Sequence, residues 1–286
     1  MSSETLKHFI FIRFFTFNDP KYPHDIYDVD FLSKQLPLTK NALGSLENQT
    51  NENFELIFAL HPNFFVDPKY EFIFSTLKDS TTLPIKFMKN VGGSHLFTPK
   101  LNREVASLIE DSIKEYDFVI TSRIDFDDFI YKGAVEDIQS KINECDDVLA
   151  YGYSKGYEYS CGELYPFLRL WSGMGHQGIL QSLILKSSFA KEMPCFTVEN
   201  FNHHILKNEL KKFLEDNGVK FLEKMFQQNS STNAVIYFRH NFAWTVSIRK
   251  NVLEDLSKQQ HLTTANITKK QLEDEFGFKL ELNSIE

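Results

Sequence analysis

The chain has 286 residues, with 31 basic against 39 acidic side chains for a formal net charge of −8, and it is 42% hydrophobic and 14% aromatic. This length and apolar content suffice for one large α/β domain or two small ones, and the acidic balance excludes a general affinity for nucleic-acid backbones, which relies on an excess of Lys and Arg. Cys145, Cys161 and Cys195 are odd in number and lack the paired spacing of a zinc site, so no disulfide framework or structural metal is expected and a cytoplasmic location fits.

In chain order, MSSETLKHFIFIRFF has no basic stretch ahead of its apolar run, and that run contains Arg13. It reads as a first core strand, neither signal peptide nor membrane span. Phe9 to Phe17 closes at Asn18-Asp19-Pro20, a strand running into a turn. Helical spacing from Tyr27 to Leu46 is expected to break at Pro37. Phe54 to Leu60 is a second buried run stopped by His61-Pro62, and Pro84 to Met88 a third strand ended by Asn90 and the glycines after it. Thr98-Pro99 offers an N-cap and a first-turn proline for a helix carrying Val105, Leu108, Ile109 and Ile113 down to Tyr116, and Phe118 to Ile120 follows as another strand. Alternating strand and helix predict an α/β fold, a mostly parallel central sheet with helices on both faces.

The second half is less regular. Gly133 to Ile142 and His204 to Leu214 have helical periodicity, the latter closed by Asn217-Gly218. Between them Gly152 to Gly178, rich in Tyr, Gly and Ser, reads as a long loop region. Ala234 to His240 is a late strand, and Thr268-Lys-Lys-Gln271 has the form of a capping box for a short helix stopping near Gly277.

The stretch DFVITSRIDFDD, Asp117 to Asp128, runs from an apolar strand into three acidic residues, Asp125, Asp127 and Asp128. It lies at a carboxyl end of the sheet, the edge where open α/β sheets bind ligands. Clustered carboxylates repel, so a cation is expected among them. Oxygen donors suit Mg²⁺ or Mn²⁺, which take one or two carboxylates, water and phosphate oxygens. Continued strand alternation would put Asp125 and Asp127 on one side and Asp128 on the other. Arg123 lies beside them, placed to contact a phosphate or to balance the acids. An isolated Asp-rich turn after a strand is equally often a solvated loop.

Gly44-Ser-Leu-Glu-Asn-Gln-Thr-Asn-Glu-Asn-Phe-Glu-Leu-Ile-Phe58 resembles the "SL..QT..NFE" stretch of GT-A type, family-2-like glycosyltransferases. Asn102-Arg103, the helix to Tyr116 and Thr121-Ser-Arg-Ile-Asp-Phe-Asp-Asp128 follow in the same order and at similar spacing. With Leu36-Pro37 upstream and Tyr165-Pro-Phe-Leu-Arg-Leu170 downstream, the pattern looks most like the rhamnosyltransferase group of bacteria and viruses. The resemblance covers roughly the first half well and the rest in patches. It implies a single GT-A domain over 1–286, with 1–130 binding a nucleotide sugar and 131–286 a glycan or glycolipid acceptor. It implies further that Mn²⁺ or Mg²⁺ bridges the donor diphosphate to Asp127 and Asp125, with Asp125 near the ribose and Asp128 a third possibility. Where relatives carry an Asp after the second strand to grip the base, this chain has His61-Pro62, so His61 substitutes or the base is held elsewhere. Arg103, Arg123 and Arg239 are candidate donor contacts.

Transfer with inversion needs a base for the acceptor hydroxyl. Glu199, where relatives keep an acidic base, ranks first, with His203 and His204 beside it. Set against that, an acid ahead of a helix is commonly just a first-turn charge. His240 is a candidate to complete the metal's shell as a C-terminal histidine does in several GT-A enzymes, or it bonds to backbone. Trp171, Tyr165, Phe167 and Trp244 are candidates to stack on an acceptor sugar, and His176 sits in a stretch read as a lid. The alternatives are a non-catalytic sugar- or nucleotide-binding protein on the same fold and a metal-dependent phosphoryl or nucleotidyl transferase. The phosphatase form of the latter wants a nucleophilic Asp after the first strand in an arrangement that Asn18-Asp19-Pro20 does not supply.

Overall fold

The structure, a computed structural model, describes residues 4–15, 25–90, 102–160, 163–168, 179–201, 206–238 and 268–276. Four strands, β1 (Leu6–Phe14), β2 (Glu55–Leu60), β3 (Ile85–Lys89) and β4 (Phe118–Asp125), lie side by side and parallel in the order β3-β2-β1-β4. β1, β2 and β4 are short runs rich in Phe, Ile, Leu and Val buried on both faces, the pattern that parallel strands need when helices cover both sides, whereas the edge strand β3 buries only Met88 and exposes Lys86 and Lys89. The α/β class expected from the sequence is the one observed.

The sheet continues beyond β4 through β8 (Ile179–Lys186), β6 (Val148–Ser160), β9 (Phe226–Phe238) and β5 (Phe129–Ile130), with β7 (Glu163–Leu168) paired to β6. Here β8 runs antiparallel to both β4 and β6, whereas β6 and β9 are parallel. One sheet thus spans both halves of the chain. Much of the supposed loop from Gly152 is the β6-β7 hairpin, Lys155 opposite Leu168 through Ser160 opposite Glu163; its Tyr-rich composition suits a strand as well as a loop. The late strand begins at Phe226, well before Ala234.

Alternate residues of each strand feed two cores. On one face α1 (Val29–Glu47), α2 (Glu71–Asp79) and α4 (Ala134–Ser140) pack on Ile10, Ile12, Phe14, Phe58 and Ile120. On the other, α3 (Arg103–Glu115), α5 (Ser187–Ala190) and α6 (Leu206–Asp216) pack on Phe9, Phe11, Ile57 and Val119.

Helix α1 is continuous through Pro37, against the expected break. Losing the Pro37 N–H costs about 3 kcal/mol in an isolated helix. Leu32 and Leu36 before it, and Leu43 and Leu46 after it, are all buried against one core and hold the two halves in line. Thr98 and Pro99 lie outside the described residues; the N-cap of helix α3 is Asn102, whose Oδ1 accepts from the Glu104 and Val105 amides. The predicted closure of α6 is present: Gly218 takes φ of +79° and Val219 N–H bonds the Leu214 carbonyl at 2.9 Å. So is the capping box at Thr268, where Thr268 Oγ1 accepts from Gln271 N–H and Gln271 Oε1 from Thr268 N–H, opening α7 (Lys269–Phe276).

Candidate functional site

Strand β4 ends at Asp125, and the chain then turns back, with Asp128 N–H bonding the Asp125 carbonyl at 3.2 Å before β5 begins. Strand alternation therefore stops at Asp125 and does not sort the three acids. The turn does: the Asp125 side chain is 43% exposed, Asp127 is half-buried and Asp128 is buried.

Arg13 lies opposite Asp125 in the β1-β4 register, and its Nη2 donates to Asp125 Oδ1 at 2.7 Å. Burial works against the Arg13 charge, but the carboxylates of Asp125, Glu199 and Asp128 outweigh it and hold the guanidinium proton more firmly than usual. Arg123, two residues before Asp125 on the same face of β4, points into the protein. Its Nη1 donates to the Phe201 carbonyl at 3.1 Å, its Nη2 to Gln181 Oε1, and its Nε lies 3.8 Å from Glu199 Oε1. Burial lowers its pKa to about 10, a shift opposed by Glu199 and reinforced by Arg13, so it stays charged at neutral pH. The ion pair that Arg123 makes is thus with Glu199.

Glu199 sits in a short 3-10 turn, Val198–Asn200, capped by Thr197 and tied to the sheet by Val198 N–H donating to Thr121 Oγ1 at 3.0 Å. The turn is separate from α6, so Glu199 is not a first-turn charge of that helix. It is fully buried, and neither carboxylate oxygen has a hydrogen bond among the described residues. Arg13, Arg123, Asp125 and Glu199 thus form a compact charged group at the carboxyl edge of β1 and β4.

The stretch that carried the family resemblance acts on the chain just after the acidic turn. Ser45 Oγ accepts from Ile130 N–H at 3.3 Å. Gln49 donates to the Tyr131 carbonyl and accepts from Val135 N–H, and Thr50 N–H bonds the Lys132 carbonyl at 2.8 Å. From the far end of the chain, the Glu275 carbonyl accepts from Lys132 N–H. The acidic turn is therefore held behind by α1 and α7 and in front by β1.

His61, at the end of β2, caps the next 3-10 turn: its Nδ1 accepts from Asn63 N–H at 3.1 Å, which leaves Nε2–H to donate to Tyr27 Oη at 3.1 Å. Burial lowers its pKa, so it is neutral. It shares the carboxyl edge but has both nitrogens engaged. Arg103 is exposed at the start of α3, whose cap Asn102 also bonds the Lys89 carbonyl at the end of β3. Tyr165 and Phe167 lie in β7, with only their backbone described. His203, His204, Trp171, His176, Arg239, His240 and Trp244 lie outside the described residues. Sequence reasoning misses Arg13 as a site residue, although a charge at the end of the apolar run Phe9 to Phe14 is its signal.

Among the described residues no three His, Cys, Asp or Glu side chains converge as a metal cage. A hard divalent ion asks for less when a phosphorylated ligand supplies oxygens, since one or two protein carboxylates suffice. The partly exposed carboxylates of Asp127 and Asp125 fit that donor set. No helix among the described residues is long and apolar enough to cross a membrane.

No protein-family model and no curated protein matches the chain. Among solved structures it is similar to TarS of S. aureus, at 12% identity and a TM-score of 0.39, over 89% of this chain but only 43% of that one. It is also similar to mouse xyloside xylosyltransferase 1 (9% identity, TM-score 0.37, 88% of this chain and 92% of that one). A third is 4-diphosphocytidyl-2C-methyl-D-erythritol synthase of Anaerococcus prevotii (9% identity, TM-score 0.38, 90% and 97%). The likenesses are distant.

Proposed function

We propose that the protein is a glycosyltransferase on a GT-A fold, moving a hexose or deoxyhexose, rhamnose first among them, from a nucleoside-diphosphate donor to a glycan or glycolipid acceptor with inversion, in the cytoplasm. The observation that carries this reading is the acidic turn: two partly exposed carboxylates at the carboxyl edge of the parallel strands, backed by the largely covered Arg13 and the buried Arg123. Asp127 and Asp125 would hold Mn²⁺ or Mg²⁺, which when bound neutralises charge on a diphosphate leaving group. The chain's own part is to fix those carboxylates ahead of binding, so that the charge growing on the departing diphosphate meets a site already arranged for it. Glu199 is the candidate base, held next to β4 by its turn and by Arg123.

A second reading, a nucleotide- or sugar-binding module without transfer, draws on the burial of Glu199, which in this conformation gives an acceptor hydroxyl no open approach. One experiment separates the two. Nucleotides and nucleotide sugars are screened for thermal stabilisation with and without Mn²⁺, and acceptor glycans are then added to the stabilising donor. A transferase gives a metal-dependent shift with one base and releases that diphosphate when acceptor is present. A shift without release leaves the binding module, and no shift with any nucleotide or nucleotide sugar refutes the transferase and the nucleotide-binding form of the module.

A further inference from the structure

The end of β1 grips the acidic turn from both sides of the sheet. Consecutive strand residues face opposite ways, so Arg13 and Phe14 at the end of β1 point to opposite faces; Arg13 is in register with Asp125, the last residue of β4, and Phe126 follows in the turn. On the α3 side, Arg13 Nη2 bonds Asp125 Oδ1 at 2.7 Å. On the α1 side, the Phe126 ring stands edge-on to Phe14 at 5.0 Å and lies against Phe15 at 5.4 Å. Phe15 has φ of 44°, a left-handed conformation that bulky residues avoid, and it brings a second ring onto Phe126 while also meeting Phe31 at 5.3 Å. Stability alone does not ask for an arginine in this place: an apolar residue of similar volume serves a buried strand as well or better.

From this geometry we infer that Arg13 is a positioning residue for donor binding, fixing the Asp125 carboxylate while Phe14 and Phe15 seat Phe126, so that the turn bearing Asp127 is set before any ligand arrives. The inference rests on the donor-binding reading above. Arg13 acts through Asp125: its loss removes the hydrogen bond and ion pair that hold that carboxylate in place at the start of the turn.

The test is calorimetric titration of UDP, GDP and dTDP into the full chain, each with Mn²⁺ and with EDTA. The proteins are wild type, Arg13→Met, which keeps an unbranched side chain without the charge, and Arg13→Lys, which keeps the charge; ligand-free melting curves verify folding. Arg13→Met is expected to lower the Mn²⁺-to-EDTA affinity ratio about tenfold, the scale of one charge-assisted hydrogen bond, with the EDTA affinity unchanged, and Arg13→Lys to restore part of the ratio. A wild-type ratio in Arg13→Met, or equal losses with Mn²⁺ and with EDTA, overturns the positioning role alone. If none of the three diphosphates binds wild type, the donor reading fails and this inference with it.

Discussion

His8 offers a sharp test of the packing beneath the site. It is fully buried on β1, and its Nδ1 accepts from Gln139 Nε2 at 3.3 Å while its Nε2 bonds Ser122 Oγ at 2.8 Å. Ser122 Oγ in turn bonds Ser182 Oγ at 2.6 Å, so the chain of hydrogen bonds crosses β1, β4 and β8. Gln139 is committed on its other sides, to the Asn53 carbonyl and to Asn51 Nδ2, and cannot turn to accept from a protonated ring. Burial accordingly pushes the His8 pKa from 6.5 down to about 3. Between those values the unfolded chain binds a proton that the folded chain does not, so stability falls as pH drops through 6.5 and keeps falling to about 3. The full difference is worth about 5 kcal/mol, of which about 2 kcal/mol is lost between about pH 7 and about pH 5. Urea unfolding of wild type and His8→Gln at both pH values is the assay. Other groups titrate alike in both proteins, so wild type should lose about 2 kcal/mol more than the variant on acidification. Parallel pH profiles would refute the reasoning, whatever the offset between the proteins at neutral pH.

Gln49→Ala removes hydrogen bonds to the Ser45 and Tyr131 carbonyls and the Val135 amide from a buried position, and should cost about 2–3 kcal/mol in thermal or urea unfolding. It should also weaken any nucleotide binding, because those bonds hold the segment after the acidic turn; unchanged binding in a folded variant would separate that stretch from the site. Glu199→Gln should leave nucleotide affinity in place and lower acceptor-dependent turnover by about a hundredfold or more if Glu199 is the base. Retained turnover would move that role to another residue.

Much of the fold follows from local chemistry. The runs at Phe9, Phe54 and Phe118 became strands because their residues suit burial on both faces, and the reciprocal Thr268-Gln271 bonds are visible in four letters of sequence. Pro37 misled because tertiary packing of Leu32, Leu36, Leu43 and Leu46 overrode a local penalty. Strand β8, ILQSLILK, is a short apolar run whose periodicity does not separate strand from helix, and α2, EFIFSTLKD, carries β-prone Phe and Ile in a helix. The acidic cluster was legible as a candidate site because like charges so close need a reason. Its partner was not: Arg13 and Asp125 meet only through the pairing of β1 with β4, and sequence separation of 112 residues conceals it. The outward Asp125 and the inward Asp128 are likewise set by a turn, where strand alternation no longer applies.

The central claim is that Asp127, at the tip of that turn, binds a divalent ion together with a nucleoside diphosphate. Calorimetric titration of the stabilising diphosphate into wild type and Asp127→Ala, each with Mn²⁺ and with EDTA, tests it most directly. Mn²⁺ is expected to strengthen binding to wild type and to have no effect on the variant; equal strengthening of both would contradict a metal-binding role for Asp127.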